Sequence, residues 1–387
     1  MKRLATAALA LSVLFTAGAD TVDDAVKAVK SQYYPDSRQA VLEVTSDKTA
    51  DGRTVVRGVT SEQRAHDLLT EALHSAGVDF IDSLAVYPAD STALVSIPVV
   101  TLRTRGAHAA EVATQAVMGT PVRLLEYKGG WWRVQTPDGY IAWSPDSSVK
   151  PITRERAAGW RSSDTRYVVK ELWQSRAYTT PTARGPRDVV TDLVLGAIVE
   201  ADPATLTDGR VQITLPDGRR GWADFASLQP IAEWAGQPFD AQKILDTAYS
   251  LEGSPYLWGG TSVKSVDCSG LVKVSYLNNG IILRRDASQQ ALTGRRMDGM
   301  DTGSFRAADL LFFGNKDTGR VTHVGLYDSN SRYVHSSGRV KRNSLDPASP
   351  DYLYSPLSAT RIDGSQGTDG IVRAIDHPWY FNLNNNP

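Results

Sequence analysis

The sequence predicts an α+β protein in four folded parts: a small N-terminal α/β unit, two small β-barrels, and a larger C-terminal domain with helices first and strands later. Three observations carry this. Helical and strand periodicities alternate over residues 20–96. Two stretches, 119–149 and 196–228, repeat one strand–turn–strand pattern. From residue 237 an amphipathic helical stretch gives way to alternating segments.

The first 19 residues are set apart from the fold. Lys2 and Arg3 precede an apolar run, Leu4 to Phe15, too short to span a bilayer. Ala17-Gly18-Ala19 follows as a small-residue cleavage site, so 1–19 is expected to be a signal peptide. No cysteine lies near that site to carry a lipid, and no later apolar stretch is long enough for a transmembrane helix. The expected location is the periplasm or the extracellular space, which the sequence does not separate.

Residues 20–96 form the expected α/β unit. Val22, Val26 and Val29 have helical spacing, and "QAVLEVTS" and "RTVVRGVTS" read as strands around a "DKTADG" turn. "SEQRAHDLLTEALHSAG" follows as a helix, with Ser61 as its cap and Gly77 as its stop. His66 and His74 on that helix read as surface residues, since a metal pair needs further ligands.

The repeat defines two barrels, at 97–152 and 165–232. Each copy has a strand, a Pro-Asp-Gly turn and a strand ending in Trp. Pro137 and Pro216 are 79 apart, as are Trp143 and Trp222. Short strands with tight turns and no helical pattern fit a small barrel.

The C-terminal domain, 237–380, holds the only cysteine, Cys268. Exported cysteines are usually paired. A lone one is a leftover, an intermolecular link or a reactive thiol. Asp267 can cap a helix that starts at Cys268 and ends near Gly280. A thiol at a helix N-terminus is expected to have a lowered pKa. A base is available in "VTHVGLYDSNSRYVHSSG". Alternation places His323, Gly325 and Tyr327 on one face of one strand, and Tyr333 and His335 on one face of the next. Pairing of Tyr327 with Ser331 would set His323 directly opposite His335. One histidine then acts as base while the other holds its second nitrogen, a Cys-His-polar triad. His377 is read as structural and His108 as a loop residue.

"DCSGLV", "HVGLY" 55 residues on, and His335 a further 12 on resemble the NlpC-type papain-like cysteine peptidases. "SPYLWGG" and "ADLLFF" fit the same family, and the resemblance covers about 237–345. The two barrels resemble bacterial SH3-like domains and extend the likeness to the γ-D-glutamyl-L-diamino acid endopeptidases. One departure is Ala308, where the family usually has glycine. The resemblance implies Cys268 as nucleophile, His323 as general base and His335 as its orienting partner. It also implies a site for the free amine of an N-terminal L-Ala, held by Tyr140 and Glu111 of the first barrel and Asp286 of the peptidase domain. Trp258, Asp267 and Ser269 are implied to line the dipeptide site. Carboxylates and a phenol hydroxyl are suitable partners for an ammonium group.

Charge points to no polyanionic partner. With 42 Lys and Arg against 43 Asp and Glu, there is no basic stripe for nucleic acid or an anionic membrane. The expected partners are peptidoglycan-derived peptides, with no cofactor, no metal and a monomeric chain. Two other functions compete: a wall-binding protein with an inactive last domain, and an amidase or acyltransferase on the same fold. The preferred diamino acid and the role of the first domain are not legible.

Overall fold

A computed structural model describes residues 22–173, 175–297, 302–353 and 355–383. The signal peptide expected at 1–19 lies outside them. The chain divides into two compact units, one up to Ala89 and one from Asp90.

The first unit runs α1 (Val22–Tyr33), β1 (Leu42–Lys48), β2 (Thr54–Thr60), α2 (Gln63–Ser75) and β3 (Phe80–Val86). β1 and β2 are antiparallel, while β2 and β3 are parallel and use α2 as their crossover. Val22, Val26 and Val29 of α1 and Leu69 and Leu73 of α2 bury with Leu42 and Val56. Ser61 does not cap α2. Glu62 takes that position without a side-chain bond, and the buried Ser61 hydroxyl instead accepts from the Val41 N–H at 2.9 Å. His66 Nε2 meets Asp82 at 2.8 Å, and His74 is exposed.

The second unit opens with two barrels of one topology. The first contains β4 (Thr92–Val95), β5 (Val99–Arg103), β6 (Val112–Val117), β7 (Pro121–Lys128), β8 (Trp131–Gln135), β9 (Ile141–Pro145) and β10 (Val149–Ile152). Their order in the sheet is β10-β4-β7-β8-β9-β5-β6. After α3 (Arg154–Ser162) come β11 (Arg166–Val169), β12 (Ser175–Tyr178), β13 (Val189–Leu193), β14 (Ile198–Thr207), β15 (Arg210–Thr214), β16 (Arg220–Asp224) and β17 (Leu228–Pro230). Their order, β17-β11-β14-β15-β16-β12-β13, is the first order shifted by seven labels. The boundary expected at 96/97 moves to 89/90. Pro98 separates β4 from β5 and reads as a break, yet β4 pairs with β7 and β10 inside the barrel.

The C-terminal domain follows through α4 (Ile231–Gly236) and α5 (Ala241–Ser250). It continues with β18 (Thr261–Ser262), β19 (Ser265–Val266), α6 (Cys268–Asn278), β20 (Ile281–Leu283), α7 (Ala287–Gln290) and β21 (Arg295–Arg296). The last strands are β22 (Leu310–Gly314), β23 (Val321–Tyr327), β24 (Arg332–Ser337), β25 (Arg339–Ser344), β26 (Ser358–Arg361) and β27 (Ile371–Arg373). Six of these form one sheet, ordered β21-β26-β22-β23-β24-β25, with α6 packed against β23 and β24. Leu271, Val272, Val274 and Tyr276 are all buried, so α6 is a core helix with little solvent face. Tyr276 donates to the Ala308 carbonyl at 2.7 Å. Ala308 has φ 69°, a conformation that a Cβ disfavours by roughly 1–2 kcal/mol.

Candidate active site

The site is built where α6 begins. Asp267 is the N-cap, and its Oδ1 accepts from the Gly270 N–H at 2.7 Å. The same carboxylate accepts from the Gly259 N–H at 2.9 Å and the Ser269 hydroxyl at 3.2 Å. Arg285, 1% exposed, closes on it with two parallel bonds, 3.1 Å to Oδ1 and 2.5 Å to Oδ2. Burial pulls the Arg285 pKa down, but Asp267 outweighs this and the net shift is upward. Arg285 also donates to Ser269 Oγ at 2.9 Å and, across the domain boundary, to Thr114 Oγ1 of β6 at 3.0 Å. One buried cation therefore ties the cap of α6 to the first barrel.

Cys268 is the first residue of α6 and is 7% exposed. The expected lowering of its pKa does not prevail. Burial, and then the Asp267 charge, push the thiol up to about 11, against the amides of Val324 and Ser269, which are directed at the sulfur and act downward. The Val324 amide places the thiol against β23, next to His323. Burial and then His335 pull His323 down to about 3. Both shifts favour the neutral thiol and the neutral imidazole over the ion pair.

His323 Nε2 lies 2.7 Å from His335 Nδ1, and His335 Nε2 lies 2.8 Å from Asn343 Oδ1 on β25. The contact arises from a different register than expected. Tyr327 pairs with Tyr333 around a turn in which Asn330 and Ser331 have φ of 49° and 62°, so Gly325, not His323, stands opposite His335. The imidazoles meet diagonally across the two strands. Gly325 permits this, because a Cβ there would come within 2.9 Å of Tyr333 and 3.2 Å of His335. His335 is fully buried.

The expected substrate-binding residues gather around this centre unevenly. Asp267 and Ser269 are buried and bonded to Arg285 and to each other, so in the free chain they act as scaffold. Trp258 is 61% exposed, one residue before Gly259. Gly259 has φ 81° and lets Val112 of β6 pack against its backbone, which brings the exposed Glu111 beside the Trp258 loop. Asp286 caps α7 in a capping box and lies 3.9 Å from the Arg285 guanidinium. Tyr140 is buried in the first barrel within electrostatic reach of Arg285.

Three participants escaped the sequence reading. Tyr256 lies within electrostatic reach of Cys268: burial, then Cys268, raise its phenol pKa. Its signal was present in "SPYLWGG". Arg285 and Asn343 carried no local signal, since burial and cross-strand pairing define them. His377 is structural in geometry: its Nε2 lies 3.0 Å from the Pro137 carbonyl, and its Nδ1 accepts from the Trp379 N–H. His108 is exposed and packs edge-on against Trp131.

Residues 253–359 match the NlpC/P60 family, and 102–149 match the bacterial dipeptidyl-peptidase SH3 domain. The chain carries an NlpC/P60 cysteine peptidase domain. A γ-D-glutamyl-L-lysine dipeptidyl-peptidase of Bacillus cereus is 25% identical over 270 residues, 66% of this chain and 76% of that protein. Dipeptidyl-peptidase 6 of Lysinibacillus sphaericus is 29% identical over 262 residues, 65% of this chain and 90% of that protein. The crystal structure of an NlpC/P60 family protein from Bacillus cereus shares the fold, with a TM-score of 0.59 and 20% identity. That match covers 70% of this chain and 99% of the other. The NlpC/P60 domain here is thus the papain-like half of a longer arrangement that includes the first barrel.

Proposed function

We propose that the protein hydrolyses the bond between γ-D-glutamate and a diamino acid in short peptidoglycan peptides with a free N-terminal L-Ala. The observation that carries this is the Cys268–His323–His335 arrangement with the first barrel fastened beside it through Arg285, Thr114 and Gln115. The names of the two relatives support the bond. Exposed Glu111, beside the Trp258 loop, and half-buried Asp286 supply the anionic partners an ammonium group needs. We also propose that the chain is exported and works as a monomer on wall peptides.

The chemistry follows from the favoured neutral pair. As the sulfur attacks the γ-glutamyl carbonyl, its proton passes to His323. The Cys268 amide, at the first helical position, has no partner within α6 and stabilises the oxyanion, with the Tyr256 hydroxyl as second donor. Collapse breaks the C–N bond, and His323 returns the proton to the departing amine. Water, deprotonated by His323, then cleaves the thioester and restores the thiol.

Mass spectrometry of a digest of L-Ala-γ-D-Glu-diamino acid tripeptide tests this directly. Wild type releases L-Ala-γ-D-Glu, and Cys268→Ala reduces release to below about one ten-thousandth. N-acetylating the alanine sharply lowers cleavage. Release by Cys268→Ala at the wild-type rate, or no release by wild type, overturns the proposal. Equal rates on blocked and free tripeptide remove Glu111, Tyr140 and Asp286 from the amine site. An intact tripeptide acylated or deamidated elsewhere would assign an amidase or acyltransferase.

A further inference from the structure

Asn343 does more than end a chain of contacts. Its Nδ2 donates to the Asp351 carbonyl at 2.7 Å. A carbonyl oxygen only accepts, so the group facing it is the NH2, and the Asn343 oxygen is turned toward His335. That oxygen also only accepts, so His335 Nε2, at 2.8 Å, carries the hydrogen. Neutral His335 then has its lone pair on Nδ1. His323 Nε2, 2.7 Å away, must donate to it. The lone pair left on His323 is on Nδ1. We propose that Asn343 is a positioning residue: acting through His335, it fixes His323 in the tautomer whose Nδ1 can take the Cys268 proton.

The position is held from both sides. Asp351 also accepts from the Ser344 N–H at 3.0 Å, which pins the loop that orients the Asn343 amide. The charged and titratable groups around the two imidazoles are few. Asp267 comes from the start of α6, Lys341 from β25, and Tyr333 from β24 packs its ring 5.0 Å from that of His335, while Cys268 meets β23 at the Val324 amide. Lys341 lowers both histidines and Asp267 raises His323, but neither sets the tautomer of His335. Without the Asn343 acceptor, His335 is free to carry its hydrogen on Nδ1. It would then donate to His323 Nε2 and leave the His323 hydrogen on Nδ1, where the base is needed.

This inference rests on His323 acting as the base, so one readout is independent of substrate. The chain has six histidines, few enough for 15N-histidine NMR on the full protein. Wild type should show His323 and His335 both as Nε2–H tautomers. Asn343→Leu should lose that pattern and lower kcat on the free tripeptide at least about ten-fold, with KM within about two-fold. Asn343→Asp keeps an acceptor and should keep both tautomers. Its carboxylate favours charged His335, whose extra hydrogen on Nδ1 displaces the one on His323 Nε2. Activity is then lost as pH falls through the raised His335 pKa, and the acid limb of kcat moves up by about one pH unit or more. A merely structural role lowers the active fraction and leaves tautomers and pH profile unchanged. Wild-type tautomers in Asn343→Leu, or an unmoved acid limb in Asn343→Asp, overturn the proposal. Failure of the tripeptide assignment removes the kinetic arms and leaves the NMR result decisive.

Discussion

The two barrels share one strand order and meet the same catalytic domain, yet they are joined to it differently. Gly119 and Gly196, at φ 77° and 80°, mark the same turn after β6 and β13. Four residues before them stand Gln115 and Asp192, and both touch the loop that holds β18 and Lys264. Gln115, itself half-buried, does so through two buried partners: its Oε1 accepts from the Thr261 N–H and the Ser262 hydroxyl, each at 3.0 Å. Asp192 accepts from Lys264 Nζ at 3.2 Å in an exposed pair. The turn aspartates differ likewise. Asp138 is buried and pairs with Lys273 of α6, whereas Asp217 bonds Arg219 in its own turn at 2.7 Å. The apolar cores reverse the pattern. The second barrel's core runs on into the catalytic domain's, while Val100, Leu102 and Val134 of the first form their own. The same fold can thus serve as an apolar foundation or as a polar attachment. The polar one lies beside Cys268, where position matters most.

The sharpest way to break this contrast is to remove the cation that joins the first barrel to the α6 cap. Arg285→Met leaves the Asp267 carboxylate buried and unpaired, which costs about 3–5 kcal/mol. Urea denaturation should show that loss. Thr114→Val, which removes only one acceptor from Arg285, should cost about 1–3 kcal/mol and leave the chain folded. A neutral result for both would mean that the link carries no energy. Next comes the aspartate pair. Asp138→Asn should cost about 3–5 kcal/mol by stranding Lys273, against about 0–1 kcal/mol for Asp217→Asn. Equal losses would erase the distinction between attachment and foundation.

The barrels were legible as a repeat because Pro137, Gly139 and Trp143 recur 79 residues on as Pro216, Gly218 and Trp222. Turn residues are fixed by local backbone geometry, so they survive in the sequence as a pattern. The cysteine, its cap and two histidines were readable for a similar reason, since each sits in a short motif. The register that joins the histidines was not. It depends on a four-residue turn, 328–331, whose Asn330 and Ser331 take positive φ, and the sequence alone favoured a tighter one. Arg285 was equally hidden. "RRDASQQ" offers two arginines, and only the three-dimensional approach of β6 decides which is buried. The thiol's acidity was misjudged because helix position is local, whereas burial and the Asp267 charge are tertiary.

The acid response sharpens the same contrast. Burial would raise the Asp138 pKa, but the Lys273 charge and hydrogen bond, with Thr136, outweigh it and hold the pKa below the usual carboxylate value. A folded-state pKa below the unfolded value of about 3.9 stabilises the protein above that pH. The contribution disappears as pH falls through the folded-state pKa. The stability gap between wild type and Asp138→Asn should therefore be full at neutral pH and close progressively below about pH 4. A gap that persists unchanged into strong acid would show that the loss comes from packing rather than charge.

The smallest effect separates the two edge strands themselves. Edge strands expose unpaired backbone groups, and β6 and β13 are edges at equivalent positions. β6 is covered: besides the side-chain bonds, the Gln115 N–H donates to Thr261 Oγ1 at 3.0 Å and its carbonyl accepts from that hydroxyl at 2.9 Å. Gln115→Ala keeps these backbone bonds but strands the Thr261 N–H and the Ser262 hydroxyl, at a cost of about 1–3 kcal/mol. Asp192→Ala removes two exposed ion pairs, to Lys264 and to Arg176 of its own barrel, each worth about 0–1 kcal/mol and less at high salt. The two variants should therefore differ in stability by a margin that widens, or stays constant, as salt is raised. A margin that shrinks with salt would mean that the β6 attachment is electrostatic and exposed, like that of β13, and that the first barrel is not locked beside the site.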